Sequence, residues 1–167
     1  MPEVFVIRSA TEANSRGILS VLEIVAAERI FSAIDRPWSI EQERTYLRML
    51  SPREATQIAV ADSGEIIGFQ NLDLWAAFVN SMSHVGQVGT FLLPAWRRRG
   101  AGNALFRATQ RFARSAGYSK FVIQVRASNT SAQAFYTSLG FQECGRFARQ
   151  VRIDDMEDDE VMMEYFL

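Results

Sequence analysis

The sequence predicts a mixed α/β fold: a central mixed sheet of about seven strands, flanked by about four helices. Three observations predict it. Stretches with a period of two stand on both sides of stretches with a period near 3.6. Their order along the chain reads β-α-α-β-β-β-α-β-α-β-β. Hydrophobic residues make up 48% of the 167 positions and charged residues 22%, which is the composition of a chain that buries a core. No repeat, low-complexity tract or linker divides it, so residues 1–167 are expected to form a single domain.

The elements follow in order. "EVFVIRSA" alternates and is rich in β-branched residues, so it reads as the first strand. "TEANSRGILSVLEIVAAERIFSA" reads as a helix, with Ile18, Leu22, Val25 and Arg29 in one row and Val21, Ile24 and Ala27 beside them. "DRPW" stops it, because proline disfavours helical backbone in the residue before it. Ser39 and Gln42 form a capping-box pattern for a second helix, "SIEQERTYLRML". "TQIAVAD" and "IIGFQNLDLW" are two strands joined at "SGE". The apolar connection "AAFVNSMS" leads to "HVGQVGTFLL", a strand in which Gly86 and Gly89 suggest a bulge. After "RRRGAG" comes a helix on the row Leu105, Thr109, Phe112 and Ala116, with Arg107, Arg111 and Arg114 off that row and Gly117 at its end. "KFVIQV" is apolar on both faces apart from Gln124 and reads as a central strand. "SNTSAQAFYTSLG" is a short helix capped by Ser128 or Asn129, and Gly140 ends it. "FQECGRFARQVRI" and "DEVMMEYFL" form a last hairpin, with the acidic run from Asp154 to Glu160 as its solvated tip.

Net charge is −1, so the chain as a whole has no electrostatic footprint for nucleic acid. Cys144 is the one cysteine, and no intrachain disulfide can form. The amino-terminal stretch carries Glu3 and Arg8 and lacks a signal-peptide core, and no apolar run is long enough to span a bilayer. A cytoplasmic location, without a membrane partner, is the expectation.

The turn "RRRGAG", Arg97 to Gly102, joins a strand to a helix. Glycines ahead of a helix N-terminus expose backbone N–H groups at a positive dipole end, and arginines add charge. The P-loop pattern fails for want of a lysine, and the dinucleotide fingerprint fails because Leu105 stands where a third glycine is needed. On its own the turn fits an anion site or a plain surface turn.

Together, "LLPAWRRRGAGNALF" and "VIQVRASNTSAQAFYTSLGF" resemble the GNAT superfamily of acyl-CoA N-acyltransferases, over about Val85 to Phe141. The resemblance implies a mostly antiparallel GNAT sheet and acetyl-CoA as cosubstrate, with no metal. Arg97-x-x-Gly100-x-Gly102 matches the family's pyrophosphate loop, which implies a coenzyme site of Arg97, Arg98, Arg99, Gly100, Ala101, Gly102 and Asn103. Thr90, Phe91 and Leu92 match the strand that pairs with the pantetheine arm, Asn129 falls at its amide, and Ser131 is a further coenzyme-binding position. Tyr136 matches the general acid that protonates the departing thiolate, and it also borders the coenzyme. The alanine acetyltransferases of the family carry a glutamate where this chain has Gln124, an amide that takes no proton near neutral pH. Glu28, Glu23, Asp73, His84, a backbone carbonyl or a water chain are the substitutes. Phe31, Trp38, Trp75 and Phe78 either line an acceptor pocket, fill the core or make a homodimer contact.

The expected function is acetyl transfer from acetyl-CoA to the primary amine of a small molecule, by direct attack in a ternary complex. The alternatives are a protein N-terminal acetyltransferase and a non-catalytic acyl-CoA-binding regulator. A nucleic-acid binder has only the arginine cluster in its favour, and no nucleic acid is expected as partner.

Overall fold

The computed structural model describes residues 4–167. Glu3, which opens the expected first strand and belongs to the amino-terminal charge reading, lies outside the described residues. Seven strands form one sheet: β1 (Phe5–Ser9), β2 (Ala55–Ala61), β3 (Ile66–Leu74), β4 (Val85–Leu92), β5 (Lys120–Arg126), β6 (Gln142–Ile153) and β7 (Met156–Phe166). Their spatial order is β1-β2-β3-β4-β5-β7-β6. Every adjacent pair is antiparallel except β4 with β5, which is parallel. Four helices flank the sheet: α1 (Ser15–Ala27), α2 (Ile40–Met49), α3 (Ala101–Ser115) and α4 (Thr130–Leu139).

Strand alternation assigns the two faces. Ile58 and Phe69 meet α1 through Ile18, Val21, Leu22 and Val25, and α2 adds Leu47. On the other face Val88, Phe121, Ile123 and Val161 pack with Phe106 of α3 and Tyr136 of α4. The capping box at Ser39 and Gln42 is present with both of its hydrogen bonds. No helix among the described residues is long and apolar enough to cross a membrane.

Three local expectations are corrected. The first helix ends at Ala27 instead of running to Ala33. Arg29 takes a left-handed backbone with φ 61°, and its guanidinium turns to Asp154 in a 2.5 Å ion pair. Its carbonyl accepts from Arg126 at 2.5 Å, so the segment after α1 is pulled across the sheet instead of continuing the helix. The bulge expected at Gly86 and Gly89 is not there: β3 and β4 stay in register from Gly68↔Leu92 to Leu74↔Gly86. The sheet's irregularities lie instead between Ala59 and Val60 of β2 and along β6, between Glu143 and Gly145 and between Phe147 and Val151. Gly86 answers to packing, since a Cβ there would stand 2.6 Å from the Leu72 side chain. The acidic run is no solvated tip. The turn is Asp154 and Asp155 alone, with φ 51° and 61° and Ile153 paired to Met156, the backbone of a two-residue hairpin turn. Residues 156–160 are strand. Arginines neutralise three of their acids: Glu157 faces Arg149 and Arg152, Asp158 faces Arg126, and Asp159 faces Arg146.

The feature that positions the site is the parting of β4 from β5. They pair only over Val85–Gln87 with Lys120–Val122. Beyond that β4 stays with β3 as far as Leu92, and β5 stays with β7 as far as Arg126. A wedge opens between them, with unpaired backbone on its walls.

Candidate active site

Two cavities open from the two faces of the wedge. The first, of about 370 Å³, is lined by Thr90, Phe91 and Leu92 of β4, by Arg97, Arg98, Gly100, Gly102 and Asn103, and by Asn129, Ser131, Phe135 and Tyr136. The second, of about 360 Å³, is lined by Phe31 and Ile34, Asn71 and Asp73 of β3, Gln87 of β4, Gln124 of β5 and Glu160 of β7. Phe31, Thr90, Phe91, Asn129, Ala132 and Tyr136 border both. The cavities therefore meet beside Thr90 and Tyr136, whose hydroxyls are 2.7 Å apart.

Sequence chemistry explains the first cavity. Gly100 precedes α3 with φ 88° and offers no capping side chain, so the first-turn N–H groups of α3 stay open to a ligand. Gly102 also answers to packing: a Cβ there would stand 3.0 Å from the Phe135 ring and 3.4 Å from the Leu92 side chain. Arg97 does not stand free beside the turn. Its guanidinium grips Glu28 at 2.9 and 2.5 Å, donates to the Leu92 carbonyl at 3.2 Å and covers the Phe31 ring at 4.3 Å. It holds the cavity wall while still bordering the space. Arg98 is exposed on the rim, with φ 61°.

Two expected loop residues line neither cavity. Ala101 turns its methyl into the core, where it is fully buried. Arg99 is exposed and lies over Trp96, 6.0 Å from the ring centroid.

Asn129 caps α4 by accepting from Ala132 N–H at 3.1 Å and from the Ser131 hydroxyl at 3.2 Å. Its own amide nitrogen has no partner among the described residues. Tyr136 is 5% exposed, and burial pushes its hydroxyl up to about 12, the Thr90 hydrogen bond opposing only in part. Gln70 donates its amide to Thr90 at 2.7 Å. Thr90 is then free to donate to the Tyr136 oxygen, which leaves the Tyr136 proton for the cavity.

The proposed substitutes for a carboxylate at position 124 separate clearly. Gln124 accepts from the amide of Gln87 at 3.1 Å, and as an amide it takes no proton near neutral pH. Glu28 is bound by Arg97 and lines neither cavity. Glu23 and His84 are exposed and line neither. Asp73 does line the second cavity; Tyr46 donates to it at 2.7 Å, and burial raises its carboxyl above the usual range. Of the four aromatics, only Phe31 borders the space. Trp38 sits against the core and donates to Glu43 at 2.5 Å, Trp75 is half-buried elsewhere, and Phe78 is 100% exposed. Glu160 was not among the candidates: it was read as the end of the acidic tip and as a residue of the last strand, and neither segment shows that it reaches the second cavity. Among the described residues no group of His, Cys, Asp and Glu side chains stands together as a metal site.

A sequence model of the acetyltransferase (GNAT) family matches residues 20–141. The aminoglycoside N(6')-acetyltransferase type 1 of Stenotrophomonas maltophilia is 34% identical over 95 residues, 55% of this chain and 62% of that protein. The chain thus spans less than two thirds of that relative's length. A GCN5-related N-acetyltransferase from Kribbella flavida superposes with a TM-score of 0.86 at 24% identity, over 100% of both chains. A phosphinothricin acetyltransferase from Sinorhizobium meliloti, solved in complex with AcCoA, superposes with a TM-score of 0.89 at 17% identity, over 100% of this chain and 89% of that one. The structures share the fold, and the family match covers the strand, the glycine turn and the short helix that build the first cavity: this chain belongs to the acetyltransferase (GNAT) family.

Proposed function

We propose that this protein transfers the acetyl group of acetyl-CoA to the primary amine of a small molecule, by direct attack in a ternary complex. The observation that carries the reading is the meeting of two separate cavities at the Thr90–Tyr136 pair. One partner can enter from each face and meet the other without either having to leave.

The residues present suit acetyl-CoA. The open first turn of α3 and the Arg98 guanidinium suit a pyrophosphate. The unpaired β4 edge from Val88 to Leu92 and the amide nitrogen of Asn129 suit the amides of the pantetheine arm. A backbone N–H on that edge suits the thioester oxygen, where negative charge grows during attack. Tyr136 holds its proton across the neutral range and can pass it to the departing thiolate, with the Thr90 hydroxyl hydrogen-bonded to the oxygen left behind. Cys144 is exposed on β6 and lines neither cavity, so no thiol is placed to carry the acetyl group itself.

The acceptor chamber favours a small cationic amine. Asp73 and Glu160 are the acids on its walls, and a cation relieves the cost of burying them. The aminoglycoside N(6')-acetyltransferase relatives support the same substrate class. A panel of small amines, aminoglycosides with a free 6'-amine and alanine-initiated peptides, followed by release of free CoA thiol, tests the reading. Release that depends on a small amine is expected. Faster release with the peptides would favour the protein N-terminal alternative, and binding of acetyl-CoA without transfer to any amine would favour a non-catalytic role.

A further inference from the structure

We propose that Glu160 is the catalytic base, taking the proton that the acceptor ammonium must lose before its nitrogen attacks the thioester. This rests on the acetyl-transfer reading.

Position is the first argument. Glu160 pairs with Arg126 across β7 and β5. Arg126 lies four residues beyond Val122, the last β5 residue paired with β4, so Glu160 stands on the open stretch of the wedge, and it lines the second cavity together with Thr90 and Tyr136. Asp73 pairs with Gln87, three residues lower than Thr90, a drop of about 10 Å along the strand. Glu160 and Gln124 alternate onto the same sheet face, which is the face of the second cavity.

Availability is the second argument. Glu160 is 8% exposed and has no hydrogen-bond or ion-pair partner among the described residues. The nearest cation in the sheet, Arg126, is already committed to Asp158 at 2.9 Å and to the Arg29 carbonyl at 2.5 Å. Asp73, by contrast, is hydrogen-bonded by Tyr46. The charged groups around Glu160 are Arg126 on β5, Asp158 on its own strand and Asp73 across the chamber. Phe147 opposite it on β6 brings no charge. Burial, with Asp158 adding to it, raises the Glu160 carboxyl above the usual range, toward what a base at neutral pH needs.

The step balances. The ammonium gives one proton to the Glu160 carboxylate, and the freed lone pair forms the C–N bond to the thioester carbon. The carbonyl electrons move to oxygen and return as the C–S bond breaks. The thiolate takes the Tyr136 proton, and the new amide nitrogen returns one to the Tyr136 oxygen. Glu160 loses its proton to solvent through the chamber.

The test is kcat/KM against pH for wild type and Glu160→Gln, with two acceptor amines of different pKa and with acetyl-CoA affinity measured by calorimetry. In wild type the acid limb should fall at one pH for both amines. In Glu160→Gln, with acetyl-CoA affinity unchanged, kcat/KM at neutral pH should drop about a hundredfold or more, and the limb should move to each amine's own pKa. A residue that only positions the chamber would leave the limb where it was. Full activity in a folded Glu160→Gln would overturn the assignment and leave acetyl transfer standing. Should that variant not fold, a wild-type limb that tracks each amine's pKa would overturn it equally. Failure of wild type to bind acetyl-CoA would overturn acetyl transfer, and this inference with it.

Discussion

The two cavities are nearly equal in volume but are made in different ways. The first is built from two short runs, Arg97–Asn103 and Asn129–Tyr136, with the adjoining end of β4. Its chemistry is local: a left-handed glycine, an open helix end and an N-cap, each set by neighbours in the chain. The second draws residues from β3, β4, β5, β7, α4 and the segment after α1. Those residues meet only because the sheet register brings them level. A coenzyme site of the first kind tolerates change elsewhere in the fold, whereas a substrate chamber of the second kind can change residue by residue without disturbing it.

The largest expected effect lies where the cavities meet. Tyr136→Phe removes one hydroxyl and keeps the ring that packs against Phe141 and Phe135. General acid catalysis is worth about a hundredfold or more, and kcat should fall by that order while acetyl-CoA affinity stays. An unchanged kcat, measured where chemistry limits turnover, would make Tyr136 a packing residue and the junction only a passage.

A smaller and opposite pair of effects should separate helix from ligand in the first cavity. Asn103 is exposed on the first turn of α3 and borders the space, which makes it a cleaner probe than Gly102, where any Cβ would crowd Phe135. Asn103→Asp puts a carboxylate at the positive helix end, which should stabilise the fold by about 0.3–1 kcal/mol. The same charge near the pyrophosphate costs about 1 kcal/mol in water, so acetyl-CoA affinity should weaken roughly fivefold. Thermal unfolding and calorimetry check the two halves. Unchanged affinity in the variant would remove the pyrophosphate from this turn.

The contrast also decides how much the sequence alone could tell. All seven strands and four helices were legible, because period and punctuation are local signals. Asn129 and Tyr136 lie in one run of the motif and Thr90 just before the other, and all three line the first cavity. The end of α1 was not legible: Arg29 leaves the helix for partners more than ninety residues away, Arg126 and Asp154. Glu160 was read both as the end of the acidic turn and as a residue of the last strand, and neither segment shows that the sheet register sets it opposite Arg126 on the wall of the second cavity. The pairing of Arg97 with Glu28 spans 69 positions and left no trace in either segment.

In the proposed ternary mechanism both partners occupy the wedge at once, one from each face. Initial rates measured over a grid of acetyl-CoA and amine concentrations test this. Intersecting reciprocal plots are expected, with no release of CoA until the amine is added. Parallel plots, with a burst of CoA from enzyme and acetyl-CoA alone, would mean that the protein carries the acetyl group itself, and would contradict it.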